Sequence, residues 1–199
     1  MWITPYHQDS YFSSPLSIDD KITIVFYRTD GWQLEIADQC INGKDGPDGQ
    51  QVVRPIQHSG FAALHIVLSY FETIAKYQAG FAGSRKSEHY FREGVYSVLP
   101  LLREESSEVA DSLLDTLYSE ARCGLYHSGI SGPRIILTAD IQVPMQFEDQ
   151  TRKLLINPHL LVPELRRHLR GYIEEVREVN NRELRKNFER RFDYNASRG

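Results

Sequence analysis

The chain has 199 residues, of which 41% are hydrophobic, 11% aromatic and 25% charged. This length and composition are typical of one globular domain, with enough apolar material to fold without a metal ion or disulfide bonds. The formal net charge of -4 argues against a surface that is basic throughout, as in general nucleic-acid-binding proteins, but it allows a local basic patch.

The two cysteines and the N-terminal residues exclude several other classes of protein. Cys40 and Cys123 are far apart and neither belongs to a CxxC pair, which excludes a disulfide framework and a structural zinc site. We therefore expect no metal and no cofactor. Residues 1–20 lack a basic segment followed by an apolar run, and no stretch approaches the roughly 20 apolar residues of a membrane span. These features predict a cytoplasmic protein without a membrane span.

The sequence predicts β structure before residue 51. Residues 1–20 are polar and turn-rich, which indicates an irregular arm. Residues 21–27 (KITIVFY) are apolar and β-branched and predict a strand, and residues 32–37 (WQLEIA), which follow a turn signal, predict its hairpin partner. Residues 42–50 are rich in glycine and predict a loop. We therefore expect residues 1–50 to form an N-terminal arm with a β-hairpin.

Apolar side chains recur every three or four residues between residues 59 and 129, which predicts three helices. The first begins with Ser59 as its N-cap and ends at the glycines of residues 80–83. The second covers residues 87–102. The third begins near residue 107 and is closed by Gly129.

The hydrophobic period changes after residue 133. Residues 134–142 (RIILTADIQ) and 153–157 (KLLIN) predict the two strands of a hairpin, and a last helix is expected over residues 163–188. The predicted fold class is mainly α, a helical bundle with small β-strand and hairpin additions. Residues 51–199 form its helical domain, which includes the β-hairpin near residues 134–157.

One segment carries a motif with chemical meaning. In residues 117–129 (LYSEARCGLYHSG), Arg122 is followed by four residues and then by His127. An arginine, four to six residues and a histidine at the end of a bundle helix are the hallmark of the HEPN family, and the segment resembles it. The resemblance covers residues 59–129, and residues 156–159 (INPH) and the final helix look like features of a bacterial branch. It implies a HEPN-like bundle and leaves residues 1–50 outside.

The resemblance implies metal-independent RNA cleavage by a homodimer in which two motifs line one cleft. His127 would take the proton from a ribose 2′-hydroxyl, and Arg122 would hold the phosphate oxygens while negative charge develops. The products would be a 2′,3′-cyclic phosphate and a 5′-hydroxyl. An endoribonuclease of this type would act as a toxin or defence effector, with RNA as its substrate and an antitoxin as a partner.

Four further residues belong to the predicted site in supporting roles. Tyr126 can stack on a base or position it, and Ser128 can donate a hydrogen bond. Ser69 and Glu72 are polar positions within an apolar stretch of the first core helix. In the family an acidic residue of this helix often lies near the motif, and we expect Glu72 to take that place.

The same residues also allow a non-catalytic interpretation. Arg122 and His127 lie near a predicted helix C-terminus, where the macrodipole and the free carbonyl groups favour cations. Residues five apart on an α-helix differ by about 140° in azimuth, so the two side chains share a face only where Gly124 loosens the turn. Cys123 stands where active members often carry Asn, Asp or His. The alternative function is therefore a HEPN-like dimer module that binds a nucleotide, RNA or a protein without cleaving it.

Overall fold

The computed structural model describes residues 1–197 and shows a mainly helical chain with two small β-sheets. None of the helices within these residues combines the length and apolar character needed to cross a membrane. The α-helices in chain order are α1 (Ile18–Thr29), α2 (Glu35–Asn42), α3 (Gly60–Gln78), α4 (Ser87–Val98), α5 (Ser107–Thr116), α6 (Pro158–Arg177) and α7 (Arg182–Ala196). Two π-helical segments, Asp30–Leu34 and Leu117–Ser128, continue α1 and α5 respectively.

The predicted strand at residues 21–27 is wrong, because these residues lie within α1. A capping box starts the helix: the Ser17 hydroxyl accepts from the Asp20 amide, and the Asp20 carboxylate accepts from the Ser17 amide at 2.9 Å. Ile22 and Val25 then face the core at helical spacing. Burial of this face outweighs the modest β preference of the branched residues.

The predicted hairpin partner at residues 32–37 is also helical. The chain continues from α1 through the π-helical segment Asp30–Leu34 into α2, so the Asp30-Gly31 pair makes no turn. Leu34, Ala37 and Ile41 are buried at spacings of three and four. Spacings of three and four residues are those of a helix face, whereas the buried side chains of a strand alternate with exposed ones.

Residues before and after position 50 share one hydrophobic core. Helices α1 and α2 both pack against α6, and α2 also packs against α3. Their buried residues belong to the same cluster as those of the later helices. Arg166 of α6 joins the two parts: its Nε lies 2.8 Å from Asp30 Oδ1, and its Nη1 lies 3.1 Å from Asp38 Oδ2. The two hydrogen bonds to Asp30 and the one to Asp38 hold α6 to the N-terminal helices.

Both tryptophans lie in this N-terminal part of the chain, near the surface. Trp2 pairs with Gln8 in an isolated β-bridge, and the Arg28 guanidinium lies 5.7 Å from the centre of the Trp32 ring. Arg28 also donates from Nε to the carbonyl oxygen of Ile3 at 2.7 Å. The irregular arm is therefore fixed to α1.

The three predicted core helices are present. α3 begins at the expected place, but Ser59 does not cap it with its side chain, because its hydroxyl donates to the Cys40 carbonyl oxygen at 2.8 Å. α3 and α4 pack very closely at Gly94. A Cβ atom added there would lie 1.8 Å from the carbonyl oxygen of Phe71, so only glycine fits at this crossing. α4 ends at Val98, before Pro100.

The predicted hairpin near residues 134–157 has a different pairing. Strand β3 (Ile135–Leu137) runs parallel to β5 (Lys153–Ile156), and β5 forms its antiparallel hairpin with β4 (Met145–Glu148). β4 was missed, although its alternation of buried Met145 and Phe147 with exposed neighbours is typical of a strand. The second sheet joins the short strands β1 (Lys44–Asp45) and β2 (Gln51–Val53) around the expected loop.

The predicted last helix is two helices. α6 starts at Pro158, earlier than expected, because the Asn157 side chain accepts from the His159 amide at 3.1 Å and Pro158 fits the first turn. It ends at Arg177, and α7 then packs against α3 and α1.

Candidate functional site

A small cleft lies between α3 and the π-helical segment Leu117–Ser128. Its volume is about 190 Å³. The residues that line it are His65, Leu68, Ser69, Glu72, Thr73, Arg122, Leu125 and Tyr126. Four of the six predicted site residues, Ser69, Glu72, Arg122 and Tyr126, are therefore brought together.

Arg122 is held at the cleft by two acceptors from different helices. Its Nη2 lies 3.2 Å from Glu72 Oε2 on α3 and 3.3 Å from Ser87 Oγ at the start of α4. The guanidinium remains partly exposed, with 21% of its side-chain surface accessible. The predicted placement of an acidic residue of α3 beside the motif agrees with this contact.

Glu72 is the centre of a partly buried charge network. Its carboxylate also accepts hydrogen bonds from Lys76, one turn along α3, and from the Ser87 hydroxyl. Burial alone raises the pKa of the Glu72 carboxyl, but the hydrogen bonds from Lys76 and Ser87 and the charges of Lys76 and Arg122 outweigh it, so the pKa lies below its ordinary value. Glu72 is therefore ionised at neutral pH.

Two tyrosine rings lie near the Arg122 guanidinium. Its central carbon is 5.7 Å from the ring centre of Tyr118 and 5.1 Å from that of Tyr126. The two tyrosines lie about one helical turn before and one helical turn after Arg122. Both distances fall within the range of cation–π attraction. The rings and the two acceptors restrict the rotamers of Arg122, so the guanidinium group has a defined orientation.

The helix that carries the motif is π-helical, which changes the expected relation of Arg122 to His127. In a π-helix the amide of residue i+5 donates to the carbonyl of residue i, so residues five apart are stacked as residues four apart are in an α-helix. Arg122 and His127 therefore start from the same face of this segment. The expected angular separation on an α-helix does not apply.

The chain after the π-helical segment folds back against it. Gly129 has a φ of 69° and closes the helix, and the Gly132 amide donates to the Glu120 carbonyl oxygen at 3.0 Å. The Glu120 carboxylate accepts from the backbone amide of Arg134 at 2.8 Å. A Cβ atom at Gly124 would lie 2.8 Å from the Ile130 carbonyl oxygen, so glycine allows this return.

His127 and Ser128 are not brought into the cleft. Both are exposed at the end of the π-helical segment, and the His127 ring makes an edge contact with the ring of Tyr126, at 5.9 Å between centres. The histidine that lines the cleft is His65, whose ring centre is 6.0 Å from that of Tyr126. Sequence reasoning assigned His65 no site role, although it precedes Ser69 by one turn on α3.

The segment that carries the motif has one further reactive side chain. Cys123 is partly buried, and its thiol is free. Within residues 1–197, no group of three or more His, Cys, Asp or Glu side chains is arranged to hold a metal ion. No family model, curated protein or solved structure gave a significant match to the chain.

Proposed function

We propose that the chain is a metal-independent endoribonuclease that works as a homodimer, with Arg122 as the phosphate-binding residue and His127 as the general base. The observation that carries the proposal is the placement of Arg122. Glu72 and Ser87 orient it at a cleft, and the π-helical geometry starts His127 from the same face. The HEPN resemblance adds the expectation of two motifs in one dimeric cleft and of a toxin or defence role with an antitoxin partner.

The chemistry needs only the imidazole, the guanidinium and the RNA itself. The neutral His127 ring takes the proton of the ribose 2′-hydroxyl, and the 2′-oxygen attacks the adjacent phosphorus. The bond from phosphorus to the 5′-oxygen breaks, and that oxygen takes a proton from a protonated imidazole. Arg122 holds the non-bridging oxygens as their charge increases. A 2′,3′-cyclic phosphate and a 5′-hydroxyl result.

Glu72 acts in this proposal as a positioning residue. Its ionised carboxylate holds the guanidinium extended towards the cleft before substrate binds. A phosphate then shares Arg122 with Glu72, and Lys76 keeps the carboxylate neutralised. The exposed Tyr126 is available to stack on a base beside the bound phosphate.

The test is cleavage of a mixed-sequence single-stranded RNA in EDTA. The wild-type chain should give cyclic phosphate ends, and His127→Ala should slow cleavage by about a hundredfold or more, the usual contribution of a general base. Arg122→Gln should do the same while circular dichroism shows a folded protein. His89→Ala removes an exposed histidine outside the cleft and should leave the rate unchanged. Cleavage by His127→Ala at the wild-type rate would refute the assignment.

A non-catalytic binding module is the second candidate, and one observation favours it. His127 does not line the cleft of the single chain, and His65 does. In this case the wild-type protein binds single-stranded RNA or a nucleotide in EDTA without cleaving it. Arg122→Gln then weakens binding, whereas His127→Ala does not.

A further inference from the structure

A second and larger cavity lies at the opposite end of α3 from Lys76. Its volume is about 540 Å³, which is within the range of small-molecule sites. Its walls come from Ile41 of α2, from residues 51–60, from the end of β3 and from the first residues of α6. The cavity therefore spans four parts of the chain that the fold brings together.

The charged and titratable side chains of this cavity are all of the basic type. Arg54, His58 and His159 line it, and no aspartate or glutamate does. Arg54 is exposed, and within the described part of the chain it takes part in none of the ion pairs. In a chain with a formal net charge of -4, such a lining is a local departure from the overall charge.

The backbone adds to the same electrostatic preference. The first residues of α3 and of α6, Gly60 and Pro158, both line the cavity. Because the Ser59 hydroxyl is directed to the Cys40 carbonyl oxygen, no side chain caps the first turn of α3. The Asn157 side chain caps the first turn of α6, so the open positive end is that of α3. It adjoins Arg54 and the two histidines, and this combination favours an anion.

Part of the cavity wall is apolar. Ile41, Ile56 and Leu137 line it, and Ile56 is 61% exposed. An anion alone leaves this wall in contact with water, whereas a ligand with an organic group covers it and gains from the burial.

We propose that this cavity binds a small phosphate ester of the size of a nucleoside monophosphate. The phosphate lies against Arg54, His58 and His159, and the organic group lies against the apolar wall. The cavity is distinct from the Arg122 cleft, because Gly60 and Glu72 are separated by about 18 Å along the axis of α3. The inference does not depend on the proposed ribonuclease activity.

The experiment is titration calorimetry of the full chain with AMP, UMP, inorganic phosphate and the nucleoside adenosine. A nucleoside monophosphate should bind, inorganic phosphate should bind more weakly, and adenosine should not bind measurably. Arg54→Gln should weaken nucleotide binding roughly tenfold or more, because a charge-assisted contact to phosphate is lost. Arg85→Gln replaces another exposed arginine that does not line the cavity and should bind as the wild type does.

Arg122→Gln removes the phosphate-binding residue of the cleft, so nucleotide binding that persists in Arg122→Gln and is weakened in Arg54→Gln belongs to this cavity. The proposal is overturned if none of the phosphate compounds binds at millimolar concentration, or if Arg54→Gln and the wild type bind equally. It is also overturned if adenosine binds as well as AMP, or if Arg122→Gln, and not Arg54→Gln, abolishes binding.

Discussion

His168 is a residue of α6, and its ring has a hydrogen-bond partner on each nitrogen, one from α3 and one from α4. Its Nδ1 is 2.8 Å from the Tyr70 hydroxyl, and its Nε2 is 2.9 Å from Ser97 Oγ. Burial lowers the pKa of His168 from 6.5 to about 4. The folded state therefore keeps a neutral ring where the unfolded chain already binds a proton. Folding stability consequently does not depend on this group above pH 6.5, and it falls as the pH drops from about 6.5 towards 4.

We expect this histidine to determine part of the acid sensitivity of the fold. The free energy of unfolding should fall by up to roughly 3 kcal/mol between pH 6.5 and 4 because of His168 alone. Urea denaturation across this range measures it. His168→Gln, which keeps a side chain able to form hydrogen bonds, should show a shallower slope, and the exposed His89→Gln should keep the wild-type slope. Equal slopes in all three proteins would contradict the assignment.

The second prediction concerns the ion pair between Glu72 and Lys76. Lys76 has only 6% of its side-chain surface exposed, so Glu72→Gln leaves a buried ammonium group without its carboxylate. We expect a loss of about 3 kcal/mol in the free energy of unfolding at pH 7. Glu93→Gln removes the carboxylate of an exposed pair with Arg103 and should cost less than about 1 kcal/mol.

The stabilisation by this ion pair depends on pH through the pKa of Glu72. Because the folded-state pKa is below the ordinary value of 4.5, its stabilisation is fully present above that value and is lost as the pH falls through the folded pKa. The difference in unfolding free energy between the wild type and Glu72→Gln should therefore shrink below pH 4.5. A constant difference down to low pH would mean that Glu72 stabilises the fold by packing and not by charge.

Two helical glycines differ in the space around them, which allows a matched experiment. Gly94→Ala places a methyl group onto the Phe71 carbonyl and forces α3 and α4 apart, so we expect a loss of about 3 kcal/mol in unfolding free energy. Gly171 lies within α6, and a Cβ added there meets nothing within 4 Å. Gly171→Ala should therefore stabilise the protein by about 0.5–1 kcal/mol. Thermal and urea denaturation give both values, and a loss at Gly171 would contradict the helical geometry.

Apolar periodicity predicted α3, α4 and α5, because their buried residues repeat at helical spacing in ordinary helix-forming sequence. It failed for α1, where a β-branched run concealed that spacing. The Ser17–Asp20 capping box was the available signal for a helix start. The alternation of buried Met145 and Phe147 was the available signal for β4. The parallel pairing of β3 with β5 depends on contacts distant in sequence, which local patterns do not specify.

For the candidate site, the sequence identified the residue types but not all of their positions. Arg122 and Glu72 meet as expected, because each lies on a helix whose presence was predicted. The π-helical form of Leu117–Ser128 was not foreseen. It requires one more residue per hydrogen-bonded turn, and a periodicity that assumes an α-helix does not detect it. The place of His65 in the cleft follows from the packing of two helices and has no local signal.

The whole molecule has one core, and this has a consequence for shortened chains. Ile22, Leu34 and Ala37 of the N-terminal helices are fully buried against later parts of the chain. A chain of residues 51–199 would expose their apolar contact surface on α3 and α6 and would leave Arg166 without Asp30 and Asp38. We expect it to lose the cooperative urea transition of the full chain. A fragment that unfolds at the same midpoint would show that residue 50 is a true domain boundary.

Trp2 and Trp32 provide an intrinsic fluorescence probe of the N-terminal part of the chain. Both residues belong to the part that docks on α6, and the side chains around Arg122 that absorb near 280 nm are tyrosines. Tryptophan emission therefore follows the attachment of helices α1 and α2 and does not respond directly to the occupancy of the cleft. Emission that stays constant while RNA binds would confine the event to α3 and the π-helical segment. Emission that changes would mean that filling the cleft alters the N-terminal helices through the shared core.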